Sequence, residues 1–253
     1  MLRKTKDDIL GFTLGAIDGE IGRAKDLYFD DQSWTVRYLV ADTCKWLTLR
    51  QVLISPFAVQ GFRDADKVVP LNLTRAQIKG SPSIDEDAPL SRQFELEYYG
   101  YYGWPLYWQG PGLWGPSALP VPGLGTVTPA AERLEHHGDT HLRSVSEVKG
   151  YHFEALDGEI GHVEDFILDD QDWVIRYLVA DTRNWWPGKK VLLPPAWATN
   201  VDWARSSVHV NLAREVIKGA PEYDPSVPIS RGYEASLFDY YSRQPYWEHR
   251  LAA

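Results

Sequence analysis

The heptapeptide Arg37-Tyr-Leu-Val-Ala-Asp-Thr43 returns unchanged as Arg176-Tyr-Leu-Val-Ala-Asp-Thr182. The offset of about 139 residues stays constant when residues 11–108 are read against 150–247, with about 41 identities in about 98 pairs. A period of this length corresponds to a whole domain and not to a solenoid unit. The chain is therefore predicted to be a tandem duplication, and the two stretches are called repeat 1 and repeat 2.

Each repeat opens with short segments rich in β-branched and aromatic residues, separated by turn residues, which is typical of an all-β domain. The strongest predicted strands are Trp34–Ala41 and Trp173–Ala180. Asp18-Gly19 and Asp157-Gly158 are predicted to form hairpin turns with a positive φ at the glycine. The other predicted strands of repeat 1 are Phe12–Ile17, Arg23–Phe29, Val52–Ser55, Val59–Phe62 and Val68–Leu71. Six short strands without alternating helices favour a small closed barrel, because closure removes exposed strand edges.

Short helices are predicted to follow the strands of each repeat. Thr74 and Gln77 have capping-box spacing, whereas repeat 2 has Ala213 at the position of Thr74, so that Asn211 is expected to cap there. The second predicted helices are Ser91 to about Tyr102 and Ser230 to about Tyr241. The expected fold class is therefore mainly β, with two barrels in tandem and short helices after each.

A stretch rich in proline and glycine separates the two repeats. Residues 109–129 show no hydrophobic periodicity, which is typical of a linker. The predicted organisation is a first domain at 1–108, a linker at 109–143 and a second domain at 144–253. Each domain has the usual size for an independent hydrophobic core.

Composition narrows the class of partner. The net charge is −9, which argues against nucleic acid, since phosphate contacts need cationic side chains. It also disfavours acidic lipid surfaces. A single cysteine excludes a disulfide framework, and neither a signal peptide nor a membrane-spanning apolar stretch is expected, so we predict a cytoplasmic protein. The 11 Trp and 14 Tyr against 8 Phe favour contact surfaces, because Tyr and Trp prefer half-buried positions and interfaces.

The acidic motifs have a structural and a chemical interpretation. The carboxylates of the two Asp-Gly-Glu motifs could act as a catalytic or cation-binding pair, but turn chemistry explains them more simply. The Asp-Asp doublets lack the further oxygen ligands of a calcium loop, so solvated turns are expected. These residues are Asp18, Glu20, Asp157 and Glu159 in the motifs, and Asp30, Asp31, Asp169 and Asp170 in the doublets.

Histidine and cysteine give no firm metal or nucleophile site. His136, His137 and His141 could take zinc or nickel, but a linker does not fix the groups around a metal. Cys44 is replaced by Arg183 in repeat 2, so a structural or incidental thiol is expected and not a nucleophile. We therefore predict no catalytic residue, no cofactor and no metal.

Arg37 and Arg176 lie inside the strongest predicted strands, and Asp42 and Asp181 follow the ends of those strands, which gives two candidate pairs, Arg37 with Asp42 and Arg176 with Asp181. An Arg–Asp pair that braces the barrel is one explanation, and a pair that orients a ligand is the other.

Aromatic residues supply the candidate partner-binding positions. Trp46, Trp185 and Trp186 follow the strongest strands in a loop, and tryptophan often anchors interfaces. Each repeat ends in an aromatic tail, with Tyr107-Trp108 in repeat 1 and Tyr246-Trp247 in repeat 2. For the loop tryptophans, packing over the barrel mouth is an equal alternative. The tails could fasten helix to barrel, bridge the two halves or contact a partner.

The motif Gly-Tyr-x-x-x-Ala-x-Asp-Gly-Glu-Ile-Gly, followed by Trp-x-x-Arg-Tyr-Leu-Val-Ala-Asp-Thr and Val-Leu-Leu-Pro-Pro, resembles a PRC-barrel domain. Repeat 2 matches more closely over 150–195 than repeat 1 does over 11–56, and the helical tails match less well. The resemblance implies a six-stranded β-barrel like that of the photosynthetic reaction-centre H subunit and of RimM-type ribosome-maturation factors. The membrane helix of the first relative and the RNA-related N-terminal barrel of the second have no counterpart in this sequence.

The resemblance implies a docking surface and not a catalyst. We therefore expect a non-enzymatic protein-interaction or scaffold module that docks on a cytoplasmic or membrane-associated complex, without inserting into the membrane. A homo-oligomer is compatible with this expectation. The alternative is a small-ligand binder or enzyme that uses the turn carboxylates or the Arg–Asp pairs.

Overall fold

The computed structural model describes residues 1–43, 47, 51–82, 84, 90–123, 141–182 and 189–249. The protein is mainly β and divides into two compact units. Unit 1 comprises Met1, Arg3–Glu147 and Leu168–Ile175, and unit 2 comprises Leu2, Val148–Ile167 and Arg176–Ala253. Unit 1 therefore contains eight residues of repeat 2, whereas the domain boundaries expected from the sequence stay a prediction.

The strands are β1 (Leu2–Lys4), β2 (Thr13–Ala16), β3 (Gly19–Asp30), β4 (Thr35–Asp42), β5 (Gln51–Ile54), β6 (Val68–Pro70), β7 (Leu142–Ser144), β8 (His152–Ala155), β9 (Gly158–Asp169), β10 (Val174–Asp181), β11 (Lys190–Leu193), β12 (Ala198–Asp202) and β13 (Ser207–Val210). The helices are α1 (Thr5–Asp8), α2 (Arg75–Gly80), α3 (Arg92–Tyr102), α4 (Val145–Val148), α5 (Arg214–Gly219), α6 (Arg231–Tyr240) and α7 (Tyr246–His249).

Strand order recurs between the repeats. In repeat 1 the order is β5-β4-β3-β2-β6, and in repeat 2 it is β11-β10-β9-β8-β13-β12. The pairs β2–β6 and β8–β13 are parallel, whereas pairs such as β3–β4 and β10–β11 are antiparallel, so the sheet is mixed. A closed barrel would need the two end strands of each order to pair with each other. In the described residues they do not, so the sheet is open.

One predicted strand is irregular in repeat 1. The stretch Val59–Phe62 forms no strand, although isolated bridges occur at Val59 and Arg63, whereas its counterpart in repeat 2 is β12. Gly61 has a φ of 121°, a left-handed backbone conformation that interrupts an extended run. Asn200 occupies the same position in repeat 2, next to a register shift.

The hairpin turns lie one residue earlier than the sequence suggests. Ala16 pairs with Gly19, so the turn residues are Ile17 and Asp18, and Gly19 begins β3 with a φ of 138°. Repeat 2 has the same register, with Ala155 paired to Gly158. The prediction of a hairpin is confirmed, but the glycine follows the turn and does not form its second position.

Helix starts follow the predicted capping residues with one exception. The capping box of Thr74 and Gln77 is formed at α2, and Ser91 and Ser230 cap α3 and α6. At α5 the N-cap residue is Ala213, which has no side-chain acceptor. The Asp157 carboxylate accepts from the Arg214 N–H instead, at 2.7 Å, so the expectation that Asn211 caps α5 is wrong.

Candidate interaction surface

Three of the predicted anchors, Trp46, Trp185 and Trp186, lie outside the described residues. The same holds for Cys44, His136 and His137. The aromatic tails are described, and they are the part of the predicted site that the structure places.

In unit 1 the tail is tied to a buried carboxylate. Glu95 on α3 is fully buried, and its Oε1 accepts from the Tyr38 hydroxyl at 2.8 Å and from the Tyr107 hydroxyl at 2.9 Å. The Arg92 guanidinium donates to the other oxygen at 2.7 Å. These four side chains, the Glu95 cluster, connect strand β4, helix α3 and the tail.

Burial dominates the electrostatics of the Glu95 cluster. Loss of water raises the pKa of the Glu95 carboxyl, although Arg92 and the hydroxyls of Tyr38 and Tyr107 oppose the shift. Burial, aided by the nearby Glu95 charge, also raises the pKa of Tyr38 and of Tyr107 well above their usual range. Both hydroxyls therefore keep their protons and remain donors to the carboxylate.

Unit 2 contains the same arrangement at equivalent positions. Glu234 on α6 is buried and accepts from the Tyr177 hydroxyl at 2.7 Å and from the Tyr246 hydroxyl at 3.0 Å. Arg231 completes this Glu234 cluster at 3.0 Å. Burial, with the Glu234 charge, raises the pKa of Tyr246 to about 12. The sequence signal was the identity of all four residues between the repeats, but nothing in the spacing indicated that they converge.

Arginines stack on the tails. The Arg37 guanidinium lies 3.9 Å from the centre of the Tyr107 ring, and its Nη1 donates to the Leu113 carbonyl at 2.5 Å. Arg176 lies 4.2 Å from the Tyr246 ring centre in unit 2. Because Tyr107 is buried and bonded, it serves to fasten the helix to the strand.

The tail tryptophans are covered by arginine on one face. Arg92 lies 4.2 Å from the Trp108 ring centre, and Arg231 lies 4.0 Å from that of Trp247. The Trp108 ring also packs edge-on against Tyr99 of α3. Both rings remain half-exposed, as does Tyr246 in unit 2, whereas Tyr107 in unit 1 is buried.

The proposed Arg–Asp pairs are separated by strand geometry. Arg37 and Asp42 both belong to β4, and five residues along a strand span about 16 Å with side chains on opposite faces. Arg37 instead forms its ion pair with Asp30, at 3.4 Å. Arg176 and Asp181 have the same spacing in β10. A direct pair within either strand is therefore ruled out.

The Asp-Gly-Glu-Ile-Gly motif has structural roles in both units. The Asp18 carboxylate accepts from the Arg75 N–H at 2.7 Å and so caps α2, as Asp157 caps α5. The second glycine, Gly22, has a φ of 147°, and a Cβ there would overlap the carbonyl oxygen of Asp42. Gly161 has the same contact with Asp181. These glycines allow β3 and β9 to approach the following strand closely.

The acidic doublets in unit 1 are paired with arginines. Arg143 of β7 donates to Asp31 at 3.0 Å, and Arg3 of β1 donates to Asp170 at 2.7 Å. His141 also lies 3.2 Å from Asp31. The doublets therefore hold the segments that precede each repeat, a role that the sequence reasoning missed.

Unit 2 has two further polar contacts on its sheet. His152 lies 2.9 Å from Glu159, and the Ser207 hydroxyl lies 3.2 Å from Nε2 of His209. Ser207 is itself buried. Across the described residues, no group of three or more His, Cys, Asp or Glu side chains is arranged to hold a metal ion.

Large apolar side chains are exposed at equivalent positions of both units. Ile17 and Leu156, at the tips of the two hairpins, are each 69% exposed. Tyr101 and Tyr240, at the ends of α3 and α6, are 44% and 41% exposed. Turn tips favour Gly, Asn, Asp and Ser, so a bulky aliphatic residue there in both repeats is unusual.

A short helix connects these exposed positions in each unit. Beside the unit 1 turn, Asp18 caps α2, and the Tyr101 hydroxyl donates to the Gln77 carbonyl of the same helix at 2.9 Å. In unit 2 the Tyr240 hydroxyl donates to the Val216 carbonyl of α5 at 2.8 Å. We call the hairpin tip, the short helix and the tyrosine the turn–helix surface of each unit.

No protein-family model and no curated protein sequence matches the chain. Among the described residues, no helix has both the length and the apolar character needed to cross a membrane.

Proposed function

We propose that the protein is a non-enzymatic interaction module built from two PRC-like barrels, each followed by short helices. The observation that carries the proposal is the recurrence of exposed apolar side chains on both turn–helix surfaces. Burying one Ile or Leu contributes about 1.5–3 kcal/mol, so leaving both in water forgoes stability that folding would otherwise gain. A partner protein that covers these residues recovers that free energy.

The recurring strand order supports the duplication in this proposal, and the PRC-like motif supports the barrel part. The partner is proposed to be a protein of a cytoplasmic or membrane-associated complex, as the resemblance to the reaction-centre H subunit implies.

The small-ligand or enzyme alternative is less well supported, because its candidate groups are engaged in the fold. Asp18 and Asp157 accept helix N–H groups. Arg37 is held by Asp30 and the Leu113 carbonyl.

Site-specific photo-crosslinking tests the proposal. A benzophenone amino acid is placed at Ile17 or Leu156 in the full chain, expressed in the cells that naturally make the protein. Irradiation should give discrete protein adducts from both positions. The matched control is Gln93, an exposed residue of α3 outside the turn–helix surface. Adduct patterns at 17 and 156 no different from that at 93 would overturn the proposal.

A further inference from the structure

The two turn–helix surfaces share their apolar residues but differ in charge. Three positions on or beside this surface that are uncharged in repeat 1 carry carboxylates in repeat 2. The changed positions are Gly15 and Glu154, Ala76 and Glu215, and Gly100 and Asp239. Lys79 and Lys218 are retained, as are Arg75 and Arg214. Repeat 2 therefore adds three negative charges around the same apolar positions.

The apolar part of the unit 2 surface is also larger. Val216, exposed by 39%, replaces Gln77 on the short helix. Leu156 is fixed beside this helix because its N–H donates to the Leu212 carbonyl at 3.0 Å. Tyr240 is fixed to the helix by its bond to Val216. Leu156, Val216 and Tyr240 thus lie on or next to one six-residue helix.

The added carboxylates are accessible to a cation. The Glu215 side chain is 82% exposed. Its salt bridge to Lys218, at 3.4 Å, lies at the surface, where such pairs contribute little to stability. Glu154 is in register with Glu159 across β8 and β9, and His152 lies 2.9 Å from Glu159 on the same pair of strands. An arriving ammonium or guanidinium group adds a cationic partner for these two carboxylates.

Building on the proposed function, we propose that the unit 2 turn–helix surface binds a protein segment in which an aliphatic side chain is flanked by Lys or Arg. The aliphatic group covers Leu156 and Val216, and the cations face Glu154, Glu215 and Asp239. A second copy of the same surface is a poor occupant. In an isologous contact the carboxylates around one copy would face the same carboxylates of the other copy and repel them.

The test uses the full chain labelled with ¹⁵N and a synthetic peptide of two leucines flanked by four lysines. Titration should shift the amide resonances of residues 154–158, 214–217 and 239–240. Leu156→Ser should weaken binding about tenfold, because one aliphatic contact is lost. Replacing the three added carboxylates (Glu154→Gln, Glu215→Ala, Asp239→Asn) should weaken it at least about fivefold and remove most of its salt dependence.

Ile17→Ser is the matched control, because it makes the same change on the neutral surface of unit 1 and should leave the affinity unchanged. Thermal melts establish that each variant is folded. Equal binding of a peptide with glutamates in place of lysines, or an equal loss with Ile17→Ser, would overturn the inference. Crosslinks at Leu156 without binding of the lysine peptide would reject this partner chemistry and leave the interaction module standing. If neither the crosslinks at Leu156 nor binding of the lysine peptide were observed, both the interaction module and this partner chemistry would be rejected.

Discussion

Single glycines decide how closely the strands of each unit pack. The Ala side chain in Gly22→Ala would overlap the Asp42 carbonyl, and its φ of 147° is unfavourable for any residue with a Cβ. We expect a loss of roughly 3 kcal/mol or more in the free energy of unfolding, measured by urea denaturation. Gly100→Ala is the control, since nothing lies within 4 Å of a Cβ there and alanine favours α3. A similar loss in both variants would contradict this explanation.

The buried carboxyl group of Glu95 makes the free energy of unfolding depend on pH. Its pKa is raised in the folded protein, so the folded state binds the proton more tightly than the unfolded state. The free energy of unfolding that Glu95 contributes therefore falls as pH rises from about 4.3 through the raised pKa. Glu95→Gln removes the titrating carboxyl. The free energy of unfolding of the variant, relative to that of the wild type, should therefore rise as pH rises from about 4.3 through the raised pKa of Glu95.

Melting temperatures of both proteins between pH 4 and pH 8 provide the measurement. The control is Glu97→Gln, which removes an exposed carboxylate of the same helix. If the difference between Glu95→Gln and the wild type stayed constant over this range, burial of the Glu95 charge would not govern the cluster.

At the scale of elements, the equivalent helices α2 and α5 differ in the number of side chains that cap them. Helix α2 has both Asp18 and the Thr74 capping box, whereas at α5 the N-cap residue is Ala213 and Asp157 supplies the carboxylate. Loss of a side-chain cap costs about 0.5–2 kcal/mol. We expect Asp157→Ala to lie near the upper end of this range and Asp18→Ala near the lower end, as measured by chemical denaturation. The double variant Asp18→Ala/Thr74→Ala should approach Asp157→Ala, and a larger loss from Asp18→Ala alone would refute the argument.

Local patterns allowed the elements to be predicted, because caps and strand propensity act over a few residues. The helix starts at Ser91 and Ser230 and the strong strand β4 are examples. The Glu95 cluster could not be derived in this way. Its members, from Tyr38 to Tyr107, meet only after β4, α3 and the tail have packed, and a glutamate within a polar-looking helix gives no sign of burial. Loss of water around Glu95 is a property of the assembled core.

The cap by Asp157 was missed for a similar reason, since the donor lies 57 residues away in the chain. The sequence predicts Ile17 as the last residue of a strand, whereas the structure places it, exposed, in the turn. Only the register Ala16–Gly19 places Ile17 in the turn.

At the scale of the whole molecule, the repeat and the compact unit have different boundaries. Unit 1 includes residues 168–175 of repeat 2, where the Asp172 carbonyl accepts from the Trp114 indole at 3.0 Å and Trp173 packs against Phe62 with ring centres 5.7 Å apart. A fragment of residues 1–147 should therefore lose at least about 3 kcal/mol of stability and show red-shifted tryptophan emission. Trp173→Ala in the full chain should show a smaller loss. A fragment as stable as the full chain would contradict this view.

The eight residues that unit 1 takes from repeat 2 decide where the chain can be divided. A gene split between the repeats would give a first product without the Trp173 contact to Phe62 and without the acceptor of the Trp114 indole. That product would depend on the second one for part of its packing.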